Sequence, residues 1–191
     1  MRLFVAFDLP ASVPRSLAEL IEQLKPKCRD ARWVRPESMH LTLKFIGHAI
    51  ADGDTQKLAE LRAALAAVRS NAPVELHFRG IGFFPDERRP RVVWCGIKSS
   101  PNLAQVAADI DRAIEPLGIP REKRDFLPHL TLARIEPPRR IDSLARAARD
   151  LQSHDFGSAR ETEFYLFESK LRPTGAEYTK LEAFPFSEVA A

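Results

Sequence analysis

The hydrophobic pattern of the chain occurs twice, with its two copies 89 positions apart. Residues 3–6 form a short apolar run with the β-branched and aromatic content of a strand, and residues 92–95 form a second one. Each run is followed by apolar residues at helical spacing. These are Leu17, Leu20, Ile21 and Leu24 in the first copy and Val106, Ile110 and Ala113 in the second. The order strand then helix therefore begins both halves of the chain.

The two copies are identical in sequence over one tetrapeptide: His40-Leu41-Thr42-Leu43 recurs as His129-Leu130-Thr131-Leu132. A second helix is predicted after each copy, one starting near Asp54 and the other near Asp142 or Ser143. Strands are predicted at 74–78 and 163–167, and a last strand at about 178–184. The first helices are predicted at about 13–24 and 101–117. Each half therefore contains a strand, a helix, a histidine strand, a helix and a strand.

This element order predicts an α+β fold of two pseudo-symmetric lobes, with mostly antiparallel sheets, helices on the outside and a central cleft. We expect one bilobal catalytic domain over residues 1–191, built from repeat units of about 1–89 and 90–184. A length of 191 residues is enough to bury a sizeable core.

Composition limits the function only weakly. The formal charge of +3 suits a polyanionic partner without requiring one. Cys28 and Cys95 have no metal-binding or redox spacing and are interpreted as reduced core thiols. The apolar start of the chain is interrupted by Asp8 and Pro10, which makes it too short for a signal peptide or a membrane span. We expect a cytoplasmic protein with no membrane association.

The two histidine strands carry the candidate chemistry. Side chains two residues apart on a strand share a face, so His40 lies with Thr42 and His129 lies with Thr131. The leucines between them face the other way, toward the helices. If a pseudo-two-fold axis relates the halves, both polar pairs meet across the cleft.

Two imidazoles and two hydroxyls facing each other suit a tetrahedral phosphate anion. One neutral imidazole can take a proton from water while the other, protonated, gives a proton to the leaving oxygen. The symmetry of the repeat leaves open which histidine is the acid. No third or fourth ligand accompanies the pair, so no metal is expected. Other residues have weaker claims: His48, His77 and His154 lie outside the repeat, and Gly80-Ile81-Gly82 indicates a bulge or turn.

The ordered motifs resemble those of the two-histidine phosphoesterase superfamily, and within it the bacterial RNA 2′,3′-cyclic phosphodiesterases, also called 2′-5′ RNA ligases. The resemblance covers nearly the whole chain. It includes both tetrapeptides and the segments 2–7, 33–36, 44–47, 83–85, 89–94, 133–134 and 169–178.

The resemblance implies metal-independent hydrolysis of an RNA 2′,3′-cyclic phosphodiester to a 2′-phosphomonoester, with reversible 2′-5′ RNA ligation as a further activity. It assigns His40 as proton donor, His129 as proton acceptor, and Thr42 and Thr131 as phosphate-binding residues. The implied partner is RNA with a 2′,3′-cyclic phosphate terminus, tRNA fragments among them. No cofactor is expected, and the protein is expected to be a monomer.

Three further residues are candidate substrate contacts: Arg134, Tyr178 and Phe45. Arg134 either contacts a phosphate at the cleft mouth or forms a rim salt bridge, Tyr178 is placed to stack a base, and the spacing favours core packing for Phe45. Two alternative functions stay open. One is a phosphodiesterase for a small cyclic nucleotide or an ADP-ribose cyclic phosphate, and the other is a non-catalytic RNA-end binding module.

Overall fold

The computed structural model describes residues 1–172 and 175–186, so Pro173 and Thr174, part of the last resemblance segment, lie outside the described residues. Four α-helices are present in the described part: α1 (Ser12–Leu24), α2 (Thr55–Ala66), α3 (Asn102–Ile114) and α4 (Asp142–Asp150). The strands there are β1 (Leu3–Phe7), β2 (Arg32–Trp33), β3 (Leu41–Gly47), β4 (Val74–Phe84), β5 (Val92–Ser99), β6 (His129–Arg134), β7 (Asp155–Glu161), β8 (Glu163–Arg172) and β9 (Gly175–Pro185).

The strands form two sheets, which we call sheet A and sheet B. Sheet A has the order β3-β1-β8-β9, and sheet B has the order β2-β6-β5-β4-β7. The strand pairs described in both sheets are antiparallel. Each sheet therefore contains one histidine strand at or next to its edge, β3 in sheet A and β6 in sheet B.

Each sheet combines strands from both halves of the chain. β4 from the first half pairs with β5 in sheet B, whereas β8 from the second half pairs with β1 in sheet A. β2 also crosses over and pairs with β6. These exchanges join the two lobes through backbone hydrogen bonds as well as side-chain packing.

The predicted helices are present, and one of them has a side-chain cap. α1 buries the apolar stripe that the sequence indicated: Val13, Leu17, Leu20, Ile21 and Leu24. The carboxylate of Asp54 caps α2 by accepting a hydrogen bond from the backbone N–H of Lys57 at 2.9 Å. Within the described residues, none of the helices combines the length and apolar character needed to cross a membrane.

The fold class predicted from the sequence is confirmed: helices pack on antiparallel sheets related by the repeat. β7 and the two-residue strand β2 were not predicted from the sequence. The boundaries of the repeat units stay a prediction.

The apolar core is divided by sheet A. All five residues of β1 are buried, with Leu3, Val5 and Phe7 in the main core. Phe4 and Ala6 belong instead to a second cluster with Phe167, against which Tyr165 and Tyr178 pack. We call this second group the aromatic cluster of sheet A. It lies on the same side of the sheet as His40, because the ring centroids of Phe4 and His40 are 4.6 Å apart.

Candidate active site

Both tetrapeptides have the alternation that the sequence predicted. Leu41, Leu43, Leu130 and Leu132 are buried in the main core. The histidines and threonines between them are half-buried. His40 immediately precedes β3 and His129 is the first residue of β6. Each histidine therefore stands at the start of its strand, where the backbone leaves a loop.

A β-bulge follows each threonine, at the same place in both copies of the repeat. The pairing of β3 with β1 skips Leu43, and the pairing of β6 with β5 skips Leu132. An extra residue on one strand turns the side chains that follow to the opposite face. The fourth residue of each tetrapeptide is therefore the point at which the alternation changes.

The bulges decide where Phe45 and Arg134 point. Phe45 is 63% exposed, and its ring centroid lies 6.3 Å from that of Phe4, on the His40 side of sheet A. The expectation that Phe45 packs in the core is therefore wrong. Lys44 is buried in its place. Arg134 is likewise exposed at the end of β6.

The His40 ring is held by one hydrogen bond and by aromatic contacts. Its Nδ1 lies 2.9 Å from the carbonyl oxygen of Ser38. The ring packs against Phe4 at 4.6 Å, meets Tyr178 edge-on at 4.9 Å and lies 6.2 Å from Phe167, all between centroids. Tyr178 thus lies beside His40 and contacts its ring.

The His129 ring is held in the same way. Its Nδ1 lies 2.8 Å from the carbonyl oxygen of Leu127, again two residues earlier in the chain. The ring of Phe84 meets it edge-on, with centroids 4.9 Å apart. Phe84 lies in β4 and Phe167 lies in β8, and each of these strands is two places from the histidine strand of its sheet. Each histidine therefore has a phenylalanine from a strand that crossed over.

These hydrogen bonds fix the tautomer of both histidines. A backbone carbonyl oxygen can only accept, so Nδ1 carries the proton in each ring. Nε2 is then the nitrogen left for chemistry, with a lone pair when the ring is neutral and a proton when it is charged. Each imidazole can therefore serve as a base or as an acid through Nε2.

The electrostatic surroundings of the two rings differ. Desolvation lowers the pKa of His40 to about 4, while the Ser38 carbonyl and the carboxylate of Asp8 act in the opposite direction. Desolvation also lowers the pKa of His129, and the Arg134 guanidinium lowers it further, against the effect of the Leu127 carbonyl. Burial is the larger cause in both cases, but the nearby charge favours the imidazolium only at His40.

The histidine strands of the two sheets lie side by side, because β3 and β6 pack against each other. Two links reinforce this arrangement. The backbone N–H of Val34 donates to the carbonyl oxygen of Leu132 at 2.8 Å, which ties β6 to the segment leading into His40. Lys44 reaches from β3 to an ion pair with Asp111 of α3 and a 2.7 Å hydrogen bond to the Pro120 carbonyl.

A cavity of about 480 Å³ opens beside His129. We call it the Trp94 cavity, and its lining includes Arg79, Phe84, Trp94, Lys98, His129 and Gln152. His40, Thr42 and Thr131 are not among its lining residues. The cavity therefore extends from the second half-site only.

Two glycines make room for the indole of Trp94. A Cβ on Gly82 would come within 2.2 Å of the indole, and one on Gly96 would come within 3.4 Å of it. Gly82 pairs with Trp94 across β4 and β5, and a bulge with a positive φ of 70° at Gly80 precedes it. The Gly80-Ile81-Gly82 segment is thus a bulge, as predicted, and it also clears space for an aromatic surface.

Several residues around the two histidine rings were not predicted from the sequence. Phe84 and Trp94 lay within segments quoted for the resemblance, yet no role was assigned to them, and Phe4, Asp8 and Phe167 were not considered as neighbours of His40. The available signal was strand alternation, because Phe4 on β1 and Phe167 on β8 lie on the same side of sheet A as His40. Because β4 and β8 each join the sheet of the other half of the chain, these neighbours could not be recognised from the sequence.

Within residues 1–172 and 175–186, no group of three or more His, Cys, Asp or Glu side chains could hold a metal ion. Cys28 and Cys95 are free and buried. His48, His77 and His154 are exposed.

Comparison with known proteins agrees with the resemblance drawn from the motifs. A family model described as the 2′-5′ RNA ligase superfamily matches residues 13–166. A protein of Methanothermobacter thermautotrophicus named RNA 2′,3′-cyclic phosphodiesterase is 33% identical over 184 residues, covering 96% of this chain and 98% of that protein. One of the same name from Archaeoglobus fulgidus is 34% identical over 184 residues, with 96% and 99% covered.

Solved structures share the fold. The structure of TT0787 from Thermus thermophilus superposes with a TM-score of 0.77 at 30% identity and covers 97% of this chain and 98% of that one. LigT from E. coli in complex with 3′-AMP has a TM-score of 0.74 at 27% identity, with the same coverage.

Proposed function

The chain belongs to the 2′-5′ RNA ligase superfamily, and from that premise we propose that it hydrolyses RNA 2′,3′-cyclic phosphodiester ends to 2′-phosphomonoesters. Relatives that match almost the whole chain are named RNA 2′,3′-cyclic phosphodiesterase. The observation that carries the proposal is the duplicated half-site. Each copy presents an imidazole anchored through Nδ1 next to a threonine on one strand face.

The reaction uses both half-sites on one phosphorus atom. Nε2 of His129 takes a proton from water as the water oxygen attacks phosphorus. The P–O3′ bond breaks, and Nε2–H of His40 gives its proton to the departing O3′. The hydroxyls of Thr42 and Thr131 donate hydrogen bonds to the non-bridging oxygens, whose negative charge strengthens such bonds. The product carries its phosphate on O2′.

The charged neighbours support this division of roles. The carboxylate of Asp8 favours the protonated form of His40, which suits a proton donor. The guanidinium of Arg134 favours the neutral form of His129, which suits a proton acceptor. The motif symmetry alone is indifferent to the choice, and burial, the largest effect, lowers the pKa of His40 to about 4. The assignment therefore rests on the family resemblance, with the charges of Asp8 and Arg134 acting in its favour.

Substrate binding favours the protonated form of His40. Desolvation keeps His40 mostly neutral at pH 7 in the free protein. A phosphodiester brings a negative charge next to the ring, and an adjacent opposite charge favours the imidazolium. Binding and protonation of His40 are therefore coupled, so that the acid is formed where its substrate is present.

The proposed reaction needs no metal. The five-membered cyclic phosphate is strained, and two threonines and a cationic imidazole offset the charge that develops on phosphate oxygens. Activity is expected to persist in EDTA. Loss of activity in EDTA with recovery on adding a divalent cation would contradict this part of the proposal.

Phe45, Arg134 and Tyr178 are proposed to contact the substrate in different ways. The exposed face of Phe45 is available to stack a nucleobase. Arg134 has no carboxylate partner among the described ion pairs and can approach a phosphate. Tyr178 makes a T-shaped contact with His40, so it positions the imidazole as well as bordering the site.

The proposal also covers the RNA substrate, the location of the protein and its oligomeric state. The substrate is RNA ending in a 2′,3′-cyclic phosphate, with tRNA fragments among the candidates, and the protein acts as a cytoplasmic monomer without a cofactor. The same two half-sites also join RNA ends reversibly through a 2′-5′ linkage when a 5′-hydroxyl replaces water as the nucleophile.

The test is to incubate purified protein with an oligoribonucleotide ending in a 2′,3′-cyclic phosphate and to identify the product isomer by chromatography against 2′- and 3′-phosphate standards. A 2′-phosphate product is expected. A 3′-phosphate product would contradict the assignment of O3′ as leaving group. Turnover confined to cyclic mononucleotides, with none on the oligonucleotide, would remove RNA as the substrate.

A further inference from the structure

We propose that the Trp94 cavity is the subsite for the nucleoside at the 5′-hydroxyl end of the second RNA in the joining reaction, and that it holds this hydroxyl next to His129. The inference rests on the proposed function and assigns the nucleophile its own subsite. In the resulting step the 5′-oxygen bonds to phosphorus, the P–O3′ bond breaks, and the hydroxyl proton goes to Nε2 of His129. O3′ receives a proton from His40, so one phosphodiester replaces another and no co-reactant is consumed.

The position of the cavity supports this role. In an in-line displacement the nucleophile approaches on the side of the base, opposite the leaving group. The cavity is lined by His129, the proposed base, and not by His40, the proposed acid. An incoming alcohol held there would thus reach phosphorus from the correct side.

The size of the cavity exceeds what hydrolysis requires. A water molecule takes up roughly 30 Å³ in the liquid, whereas the cavity has about 480 Å³. Pockets for small organic ligands begin at about 300 Å³. The space beside the base is therefore suited to a nucleoside.

The lining matches the parts of a nucleotide. The ring of Trp94 lies against the sheet over Gly82 and next to Gly96, with Phe84 5.1 Å away between centroids. Such an aromatic surface can stack a base of any sequence. Arg79 and Lys98 line the same cavity, and neither forms an ion pair with a carboxylate in the described part of the chain. They can contact the phosphate that follows the bound nucleoside.

The two half-sites also differ in the space beside the histidine. The corresponding side of sheet A is filled by the aromatic cluster, in which Phe4 stacks on Phe167 at 5.0 Å and Tyr178 meets Phe4 edge-on at 5.2 Å. Sheet B has two glycines and an open cavity at that level. A site that needed only two imidazoles around a phosphate would have no use for this asymmetry.

The test is a competition between water and an added alcohol. The donor is an oligoribonucleotide with a 2′,3′-cyclic phosphate and a 5′-phosphate. The 5′-phosphate prevents the donor itself from acting as the 5′-hydroxyl nucleophile. The probe is a dinucleoside monophosphate with a free 5′-hydroxyl, and the readout is the ratio of 2′-5′ joined product to 2′-phosphate product. The ratio is expected to rise with the concentration of the dinucleoside monophosphate and to saturate.

Arg79→Ala/Lys98→Ala is expected to lower this ratio by about tenfold at a subsaturating probe concentration, because two charge-assisted contacts are lost. Arg15→Ala/Lys27→Ala removes the same charge outside the cavity and is expected to leave the ratio unchanged. Hydrolysis without joined product, a ratio that rises without saturation, or an equal loss of both products in the cavity variant would overturn the inference alone. Absence of any hydrolysis by the unmodified protein would overturn the proposed function as well.

Discussion

At the scale of single residues, the two imidazoles are anchored by the same kind of hydrogen bond and differ in their charged neighbours. Both donate Nδ1–H to the carbonyl two residues earlier, which leaves Nε2 for proton transfer. Burial lowers the pKa of both rings; the Asp8 carboxylate opposes this effect at His40, whereas the Arg134 guanidinium adds to it at His129. A shared geometry with unequal charges is how one repeated motif can supply an acid and a base.

The pH dependence of kcat/KM follows from these shifts, because it reports groups in the free protein. His40 must be protonated, and its pKa of about 4 means that the protonated fraction falls tenfold per pH unit above that value. We expect kcat/KM for a cyclic-phosphate oligonucleotide to have its maximum below pH 6.5 and to decrease toward pH 8. A maximum of kcat/KM at or above pH 8 would contradict the role of His40 as acid.

Glu161 gives a separate prediction about stability. Burial, with Asp8 and Glu163 nearby, raises the pKa of its carboxyl to about 7 against the opposing effect of Lys180. A carboxyl with a raised folded-state pKa favours the folded state less as pH rises from its ordinary value of about 4.5 through 7. Glu161→Gln should therefore raise Tm at pH 8 and have little effect at pH 4.5.

Thermal unfolding of the Glu161→Gln variant and the unmodified protein at both pH values measures this difference. Glu168→Gln, a change of the same kind in β8, serves as the reference. An equal change in Tm at pH 4.5 and pH 8 would show that the ionisation of Glu161 is not responsible.

At the scale of elements, the bulges in β3 and β6 organise the site. Each follows the threonine and turns the next residues over, which buries Lys44 and exposes Phe45 and Arg134. Lys44 then reaches α3 and the loop ahead of β6 through Asp111 and Pro120. One histidine strand thereby holds the loop that leads to the other histidine.

Lys44→Met is expected to lower the free energy of unfolding by about 3 kcal/mol, since it leaves the Asp111 carboxylate without its buried partner. Lys44→Met/Asp111→Leu should recover part of that loss, because the unpaired charge is gone as well. Denaturant unfolding measures both values. A loss below about 0.5 kcal/mol in the single variant would show that the pair does not link β3 to α3.

The elements that the sequence predicted are those with a regular period. The stripe of α1 and the alternation through Leu43 were predictable, because they depend on local spacing. β7 was missed because its burial follows no clean alternation and Gly157 has a positive φ of 112° within a register shift. The position of Phe45 was missed because a bulge depends on the partner strand, which the sequence does not identify.

At the scale of the whole molecule, the exchange of β4 and β8 makes the half-sites interdependent. His129 rests on Phe84 from the first half of the chain, and His40 lies near Phe167 from the second. Duplication of the motif was visible in the sequence, and so was the antiparallel α+β class. The exchange of β4 and β8 was not visible, because the repeat does not indicate which sheet each of these strands joins.

The central claim is that both imidazoles act on one phosphorus atom. The most direct test is the hydrolysis rate of a cyclic-phosphate oligonucleotide by His40→Ala, His129→Ala and the double variant, with folding checked by circular dichroism. Each single change should reduce kcat by at least about a hundredfold, and the double change should reduce it by much less than the product of the two, because groups that act as a unit are not additive. Near-normal turnover in either single variant, or fully multiplicative losses, would contradict the claim.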